Sequence, residues 1–307
     1  SNGDTRLTSQ ERTGDGKIGL TLTHRLSNPF EQAIQFEYDY TALPGGGRKS
    51  VTLAPGAEET VTQAFAIPEK NYRPVLDVLI PVKVLLPSGE RIEMQSAIQP
   101  AIFWQAARGA DKIAIDGSLD EWQGAPFSVL ADRKYVEIKS KWTPEDLSVR
   151  AWGAYDDQAL YFAFEVKDDV QYNEEAFVKN LWMGDSVQIA IDFLNDKSDE
   201  FDADDLEYGF GLHQGVCRGR LFFPQGRKGK KVERMIDKAV RREGNKTFYE
   251  LRVPFDCLVD RSSIGNQIGF SFVVNDSDGG GFSGGLVATR GIYHQKDPGA
   301  FGILELR

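Results

Sequence analysis

The chain has 307 residues, 41% apolar and 11% aromatic, which suits about two domains with real cores and excludes a disordered chain. Its formal charge of -10 argues against nucleic acid, whose binding needs cations facing phosphates, and leaves a neutral ligand such as a glycan open. Two cysteines, Cys217 and Cys257, are too few for a disulfide framework or a zinc cluster and read as buried thiols, and no apolar run reaches the ~18 residues of a membrane span.

The polar opening SNGDTRLTSQER carries no visible signal peptide, although an exported chain trimmed at its N-terminus would read the same. Residues 1–15 are expected to be loosely ordered. From Lys17 a period-two pattern begins: KIGLTLTHRL, QAIQFEYDY, KSVTL, EETVTQAFAI, VLDVLIPVKVLL and RIEMQSAI. Turn chemistry separates these runs, in NPFE, LPGGGR, APGAE and LPSGER. The spacing predicts an all-β sandwich over residues 1–108, with Leu20, Leu22, Ile34, Phe36 and Tyr38 facing inward. TLAPGAEETVTQAF resembles a turn of bacterial immunoglobulin-like modules, which implies a spacer or docking role. Nothing in this half is arranged for chemistry.

PAIFWQAARGADK, residues 100–112, reads as a connection, with Trp104 expected between two domains. The second domain, 109–307, is again rich in strands: LSVRAWGAYDD, ALYFAFEVKDD, DSVQIAIDFL, LEYGFGLHQ, GRLFF, FYELRVPF, QIGFSFVVND and FGILEL. ALYFAFEV is almost continuously apolar, as a strand covered on both faces should be. Short helices are expected only at DKAVRRE and PFDCLV. The fold class is therefore all-β, two sandwiches in tandem.

In order, IDGSLDEWQGA, WTPEDLSVRAWGAYDDQALYFAFEVKDD, LWMGDSVQIAIDF, LEYGFGL, FYELRVPF, GFSFVVNDSDG and KDPGAFGILEL resemble the family 9 carbohydrate-binding module, of the wider DOMON-like sandwiches. The resemblance covers Lys112 to Arg307. It implies that Asp116 and Gly117 make a turn and that Trp122 packs into the core. The residues agree, since Asp-Gly favours an Asx-type turn. Adjacent Asp120 and Glu121 do not suit a glycosidase pair, whose carboxylates sit ~5–9.5 Å apart across a bond.

For the ligand, the resemblance implies that Trp182 is one face of an aromatic sandwich around a terminal sugar; the other reading is a core tryptophan. The family's opposing tryptophan falls at Gln295, and another near Ala288. Tyr293 and His294 are the rings nearby. The family's glutamate appears as Gln188, its arginine falls near Gly209, and a neighbouring glutamine appears as Glu207. Gln188, Glu207 and Asn275 are the candidates for sugar hydroxyls. These departures put the family's sugar specificity in doubt.

The loop NDKSDEFDADDLE has seven acidic residues among thirteen, and family members bind structural calcium. Asp199, Asp202, Asp204 and Asp205 are the candidate ligands, with Asp168–Asp169 and Asp276–Asp278 as further places; a solvated acidic loop is the alternative. Haem is not expected, because only Met183 with His213 or His294 could ligate it. NDSDGGGFSGG lacks the helix and GK[ST] of a phosphate loop and reads as a rim loop. The basic stretch Arg218 to Glu243 could meet an acidic glycan, or be a solvated hairpin.

The leading expectation is a non-catalytic glycan-binding region of an extracellular or envelope carbohydrate-active protein. A structural or interaction module that has lost its sugar site is the alternative. No nucleophile, base and orienter fall in an order that suggests an enzyme.

Overall fold

A computed structural model of the chain describes residues 4–72, 78–139, 141–173, 179–198, 200–279, 284–293 and 296–307. The chain divides into two compact units, Ser1–Ile102 and Phe103–Arg307.

The first unit contains β1 (Asp4–Thr13), β2 (Lys17–Ser27), β3 (Ile34–Asp39), β4 (Arg48–Leu53), β5 (Glu58–Pro68), β6 (Val78–Leu85) and β7 (Arg91–Ile98). They form two antiparallel sheets, β1-β2-β5 and β4-β3-β6-β7. Leu20, Leu22, Ile34, Phe36 and Tyr38 are all buried, as the alternation predicts. The sheets meet at buried His24 on β2, whose ring lies 4.2 Å from Tyr38 and whose Nε2 shares a 2.7 Å hydrogen bond with the Tyr40 hydroxyl. The N-terminal segment departs from expectation. Residues Asp4–Thr13 are a strand with a bulge between Leu7 and Ser9. Its polar side chains are tied inward, Thr5 to His24 at 2.8 Å and Gln10 to the Ala101 N–H at 2.6 Å.

The second unit contains β8 (Phe103–Arg108), β9 (Ser128–Leu130), β10 (Val136–Glu137), β11 (Leu147–Tyr155), β12 (Ala159–Asp168), β13 (Ser186–Asp192), β14 (Asp205–His213) and β15 (Val216–Phe223). Then come α1 (Gly226–Met235), β16 (Asp237–Glu243), β17 (Lys246–Pro254), β18 (Gln267–Asp276), β19 (Gly284–Val287) and β20 (Gly302–Leu306). One layer runs β15-β14-β13-β18-β20 and the other β11-β12-β17-β16, and β8 joins them. The inner faces interlock through aromatics: Phe162 stacks on Phe270 at 4.6 Å, and Phe210 meets Tyr249 edge-on at 5.5 Å.

Several expectations are corrected here. The segment 103–108 is not a connection and the boundary does not fall at 108/109. It is a parallel strand whose first residues pair with β20 and whose last pair with β11. Trp104, 3% exposed, lies inside the second unit's core against Phe127, Phe270 and Phe272. DKAVRRE is β16, not a helix, because pairing with β17 outweighs its helix propensity. The basic stretch contains α1, not only a hairpin. Its Gly229 does not break the helix but lets it approach, since a Cβ there would fall 2.1 Å from the Pro224 carbonyl oxygen. Val232, also buried, completes the docking face. PFDCLV holds only a 3-10 turn, Phe255–Cys257. Both cysteines are free thiols, Cys257 buried and Cys217 half-buried.

IDGSLDEW forms the expected turn. The Ser118 N–H donates to Asp116 Oδ1 at 2.7 Å, and Gly117 holds a φ of +86°. Buried Glu250 on β17 accepts from the Asp116 N–H, the Gly117 N–H and Trp122 Nε1 at 3.0, 2.6 and 2.8 Å. Trp122 is half-buried against Ala110, Ala154, Ala159 and Tyr161. Asp120 and Glu121 are exposed beside this structural turn.

Candidate ligand-binding site

The alternation along β13, β14 and β18 turns Val187, Ile189, Tyr208, Phe210, Phe270 and Phe272 toward the other layer. The opposite face carries Ser186, Gln188, Glu207, Gly209 and Asn275. Cross-strand register brings these together: Gln188 lies opposite Gly209, Ala190 opposite Glu207 and Ser186 opposite Asn275.

On this face is a cavity of about 870 Å³, within the range of small-molecule sites. It is lined by Trp182, Gln188, Glu207, Asn275 and Tyr293, five of the six residues singled out from the sequence. The sixth, Gln295, and its neighbour His294 lie outside the described residues. Phe201, Phe222, Phe223, Ile138, Ile292, Glu200, Gln225 and Lys296 complete the lining.

Trp182 sits on a 3-10 turn, Leu181–Met183, directly before β13. Leu181 anchors the turn in the core, and Ser186 Oγ donates to the Leu181 carbonyl at 2.8 Å. Asp185 ties the turn to its surroundings by accepting the Tyr172 N–H at 2.5 Å and the Ser277 N–H at 2.8 Å. Burial, then the nearby Asp168 charge, pushes the Asp185 carboxyl up to about 9. The indole projects from this clamp and stays 41% exposed.

The floor is a polar relay. Lys296 Nζ donates to Glu207 Oε1 at 2.5 Å and to the Ile292 carbonyl at 2.6 Å. Gln188 Nε2 donates to the same Glu207 oxygen at 3.2 Å, and Asn275 Nδ2 donates to Gln188 Oε1 at 2.7 Å and to Ser186 Oγ at 3.1 Å. Burial raises the Glu207 pKa, and the Lys296 charge opposes that rise. A carboxylate only accepts, so Glu207 fixes the orientation of Gln188, and Gln188 fixes that of Asn275. The relay ends on Asn275 Oδ1, a buried acceptor with no hydrogen-bond partner, on a residue 2% exposed. An unmet buried acceptor costs about 1–3 kcal/mol, and this one lies beneath the cavity floor, closed to solvent.

Sequence reasoning missed much of the apolar wall. Phe222 and Phe223 would normally point to opposite faces. The register shift between Glu207 and Tyr208 makes Phe222 an extra residue on β15, and both rings line the cavity. Phe222 lies over Gly209, where a Cβ would meet the ring at 2.7 Å. At the site where the family resemblance places an arginine, this chain therefore has an aromatic ring. Ile138 was also missed. Its φ is +66°, and the Lys139 N–H donates to the Glu137 carbonyl at 2.7 Å, closing a γ-turn. A β-branched residue there is strained, yet its side chain is 61% exposed at the cavity.

Two acidic clusters test the fit of calcium. Asp192, opposite Asp205 on β13 and β14, forms a buried group with Asp204 and Asp205, their oxygens within 4.8 Å of one another. Burial, with neighbouring charges, pushes Asp204 up to about 7 and Asp205 up to about 8, and Asp205 Oδ1 has no partner. Three crowded carboxylates with an orphaned oxygen fit a hard cation. Asp202, exposed, groups with Asp196 and Asp204 and accepts the Asp204 N–H at 3.2 Å. Asp199 lies outside the described residues. The other cluster already holds a cation: the buried Lys139 ammonium bonds Asp276, Asp146 at 3.0 Å and Asp278 at 3.0 Å. Burial would lower the Lys139 pKa, but these carboxylates raise it.

A half-apolar cavity with a projecting indole and a buried polar floor, set on the outer face of a β-sandwich, defines a ligand-binding β-sandwich module. The sequence profile described as carbohydrate family 9 binding domain-like matches residues 115–307, and the chain belongs to that family, one of non-catalytic carbohydrate-binding modules. Among solved structures, a family 9 module from Caldicellulosiruptor kristjanssonii in complex with glucose shares 20% identity at a TM-score of 0.50, covering 67% of this chain and 95% of that one. A family 9 structure from the same organism in complex with cellotriose shares 19% identity at a TM-score of 0.48, covering 67% and 93%. No curated protein matches the chain. No helix among the described residues is long and apolar enough to cross a membrane.

Proposed function

We propose that the second unit binds the end of a glycan without catalysis. The observation that carries this reading is the convergence of Trp182 and the Lys296–Glu207–Gln188–Asn275 relay on one cavity. An indole face accepts the C–H face of a pyranose, and Gln188, Glu207 and Lys296 in the lining offer polar groups to its hydroxyls. The glucose bound to the C. kristjanssonii module supports the same ligand class here. A scaffold that had lost its sugar site would have no need of an open cavity with a projecting indole.

The first unit is proposed to be an immunoglobulin-like spacer, supported by its seven strands in a three-plus-four arrangement. The whole is proposed to serve an extracellular carbohydrate-active protein, and Asp192, Asp204 and Asp205 to hold a structural calcium ion.

Weak affinity is expected from so small a platform. A glycan array followed by calorimetry tests the reading. Trp182→Ala is expected to weaken binding about ten-fold or more. Absence of binding to any glycan, with calcium present and absent, would overturn it.

A further inference from the structure

The cavity's polar floor accounts for Lys296, Glu207, Gln188 and Asn275 but leaves the arginines of β15 without a task. Gln188 on β13 lies opposite Gly209 on β14, and Gly209 lies opposite Arg220 on β15. Directly opposed residues share a face, so Arg220 is on the cavity side. Arg218 lies opposite Gly211 on that same face. Both arginines are exposed, and neither guanidinium makes a hydrogen bond or ion pair among the described residues. The Arg220 guanidinium instead lies 6.0 Å from the centre of the Phe222 ring, the ring that fills the space above Gly209.

We propose that Arg220, seconded by Arg218, binds an oxyanion substituent on the glycan, so that the preferred ligand is an acidic sugar. This rests on the glycan-binding reading above and extends it to the charge of the ligand. Two strand spacings separate Gln188 from Arg220, about 10 Å between backbones. The Phe222 ring lies between them, over Gly209. A glycan with one ring over Gln188 would therefore run across the Phe222 ring toward the guanidinium.

The charges present favour this side. Glu207 is matched by Lys296, whereas exposed Glu200 lines the cavity and would repel an anion placed beside it. The stretch Arg218 to Glu243 carries ten basic residues against three acidic in a chain of net charge -10. An arginine fork suits a carboxylate or sulfate in two-point contact, and an aromatic beneath it holds the fork flat.

Calorimetry on the full chain tests this with three trisaccharides of matched linkage: neutral, uronate-terminated and sulfated. An acidic ligand is expected to bind about ten-fold tighter than the neutral one at low salt, with the margin shrinking as salt rises. Preference for the uronate over the sulfate, or the reverse, identifies which oxyanion the site takes. Arg220→Gln is expected to abolish the margin while leaving neutral-sugar affinity within about two-fold. Lys230→Gln with Lys231→Gln, on α1, is expected to leave the margin intact. Equal affinity for neutral and acidic ligands overturns the proposal while leaving glycan binding standing. So does a margin that survives Arg220→Gln, or one that falls as far with the α1 changes. Failure to bind any of the three overturns this proposal, and the array then decides the glycan reading separately.

Discussion

Ile138 shows what the site asks of a single residue. Glycine would relax its φ of +66°, yet the chain places a β-branched side chain there and exposes it to the cavity. The neighbouring Lys139 holds the turn by bonding Asp146, Asp276 and Asp278. Strain that the surroundings over-determine marks a contact surface. Ile138→Gly is expected to raise stability by up to about 1 kcal/mol and to weaken glycan binding, read by thermal melting and calorimetry on the same sample. Loss of stability, or unchanged affinity, would remove Ile138 from the binding surface. Gln188 and Glu207 were legible through the family resemblance, and Asn275 through the loop it opens. The orphaned acceptor was not, since it depends on which amide faces which across three strands.

At the scale of elements, β8 carries the largest correction. PAIFWQAARGADK looks like a connection because Pro and Gly bracket it and its apolar run, Ile102 to Trp104, is short. In the fold it is the strand through which the two layers of the second unit are joined, with Trp104 set among Phe127, Phe270 and Phe272. Burying one tryptophan contributes several kcal/mol, and truncating it costs about 3–5 kcal/mol. A fragment beginning at Phe103 is therefore expected to melt cooperatively, and one beginning at Gly109 to be unfolded or molten by circular dichroism. Equal melting of the two would show that β8 is dispensable. The bulge on β15 belongs to the same scale. GRLFF announces a strand, but nothing local tells that both phenylalanines turn to one side.

For the whole molecule, the register of two strands gathers buried carboxylates beside the loop after β13. Asp192, which the acidic loop itself does not contain, joins Asp204 and Asp205 through the register of β13 with β14. The cluster lies two residues along β14 from Glu207, about 7 Å from the floor of the cavity. A cation here would stiffen the strand ends that carry the relay. Calcium at about 100 times its dissociation constant is expected to add about 2.7 kcal/mol, a rise of several degrees in Tm, and Asp205→Asn to abolish the rise. An unchanged Tm with calcium or EDTA would leave this group without a metal.

The inward alternation of Leu20, Leu22, Ile34, Phe36 and Tyr38 and the Asp116–Gly117 turn were readable from the chain itself, whereas Trp182, Gln188, Glu207 and Tyr293 were singled out through the family resemblance. Periodicity and turn chemistry are local properties, and they survive folding because each strand must present one face to a core. Which strand joins the two layers, where β15 bulges, why α1 forms among glycines and lysines, and where the relay ends were decided only by the tertiary structure. Each of these depends on what lies opposite a residue, and that is set by register between strands far apart in sequence.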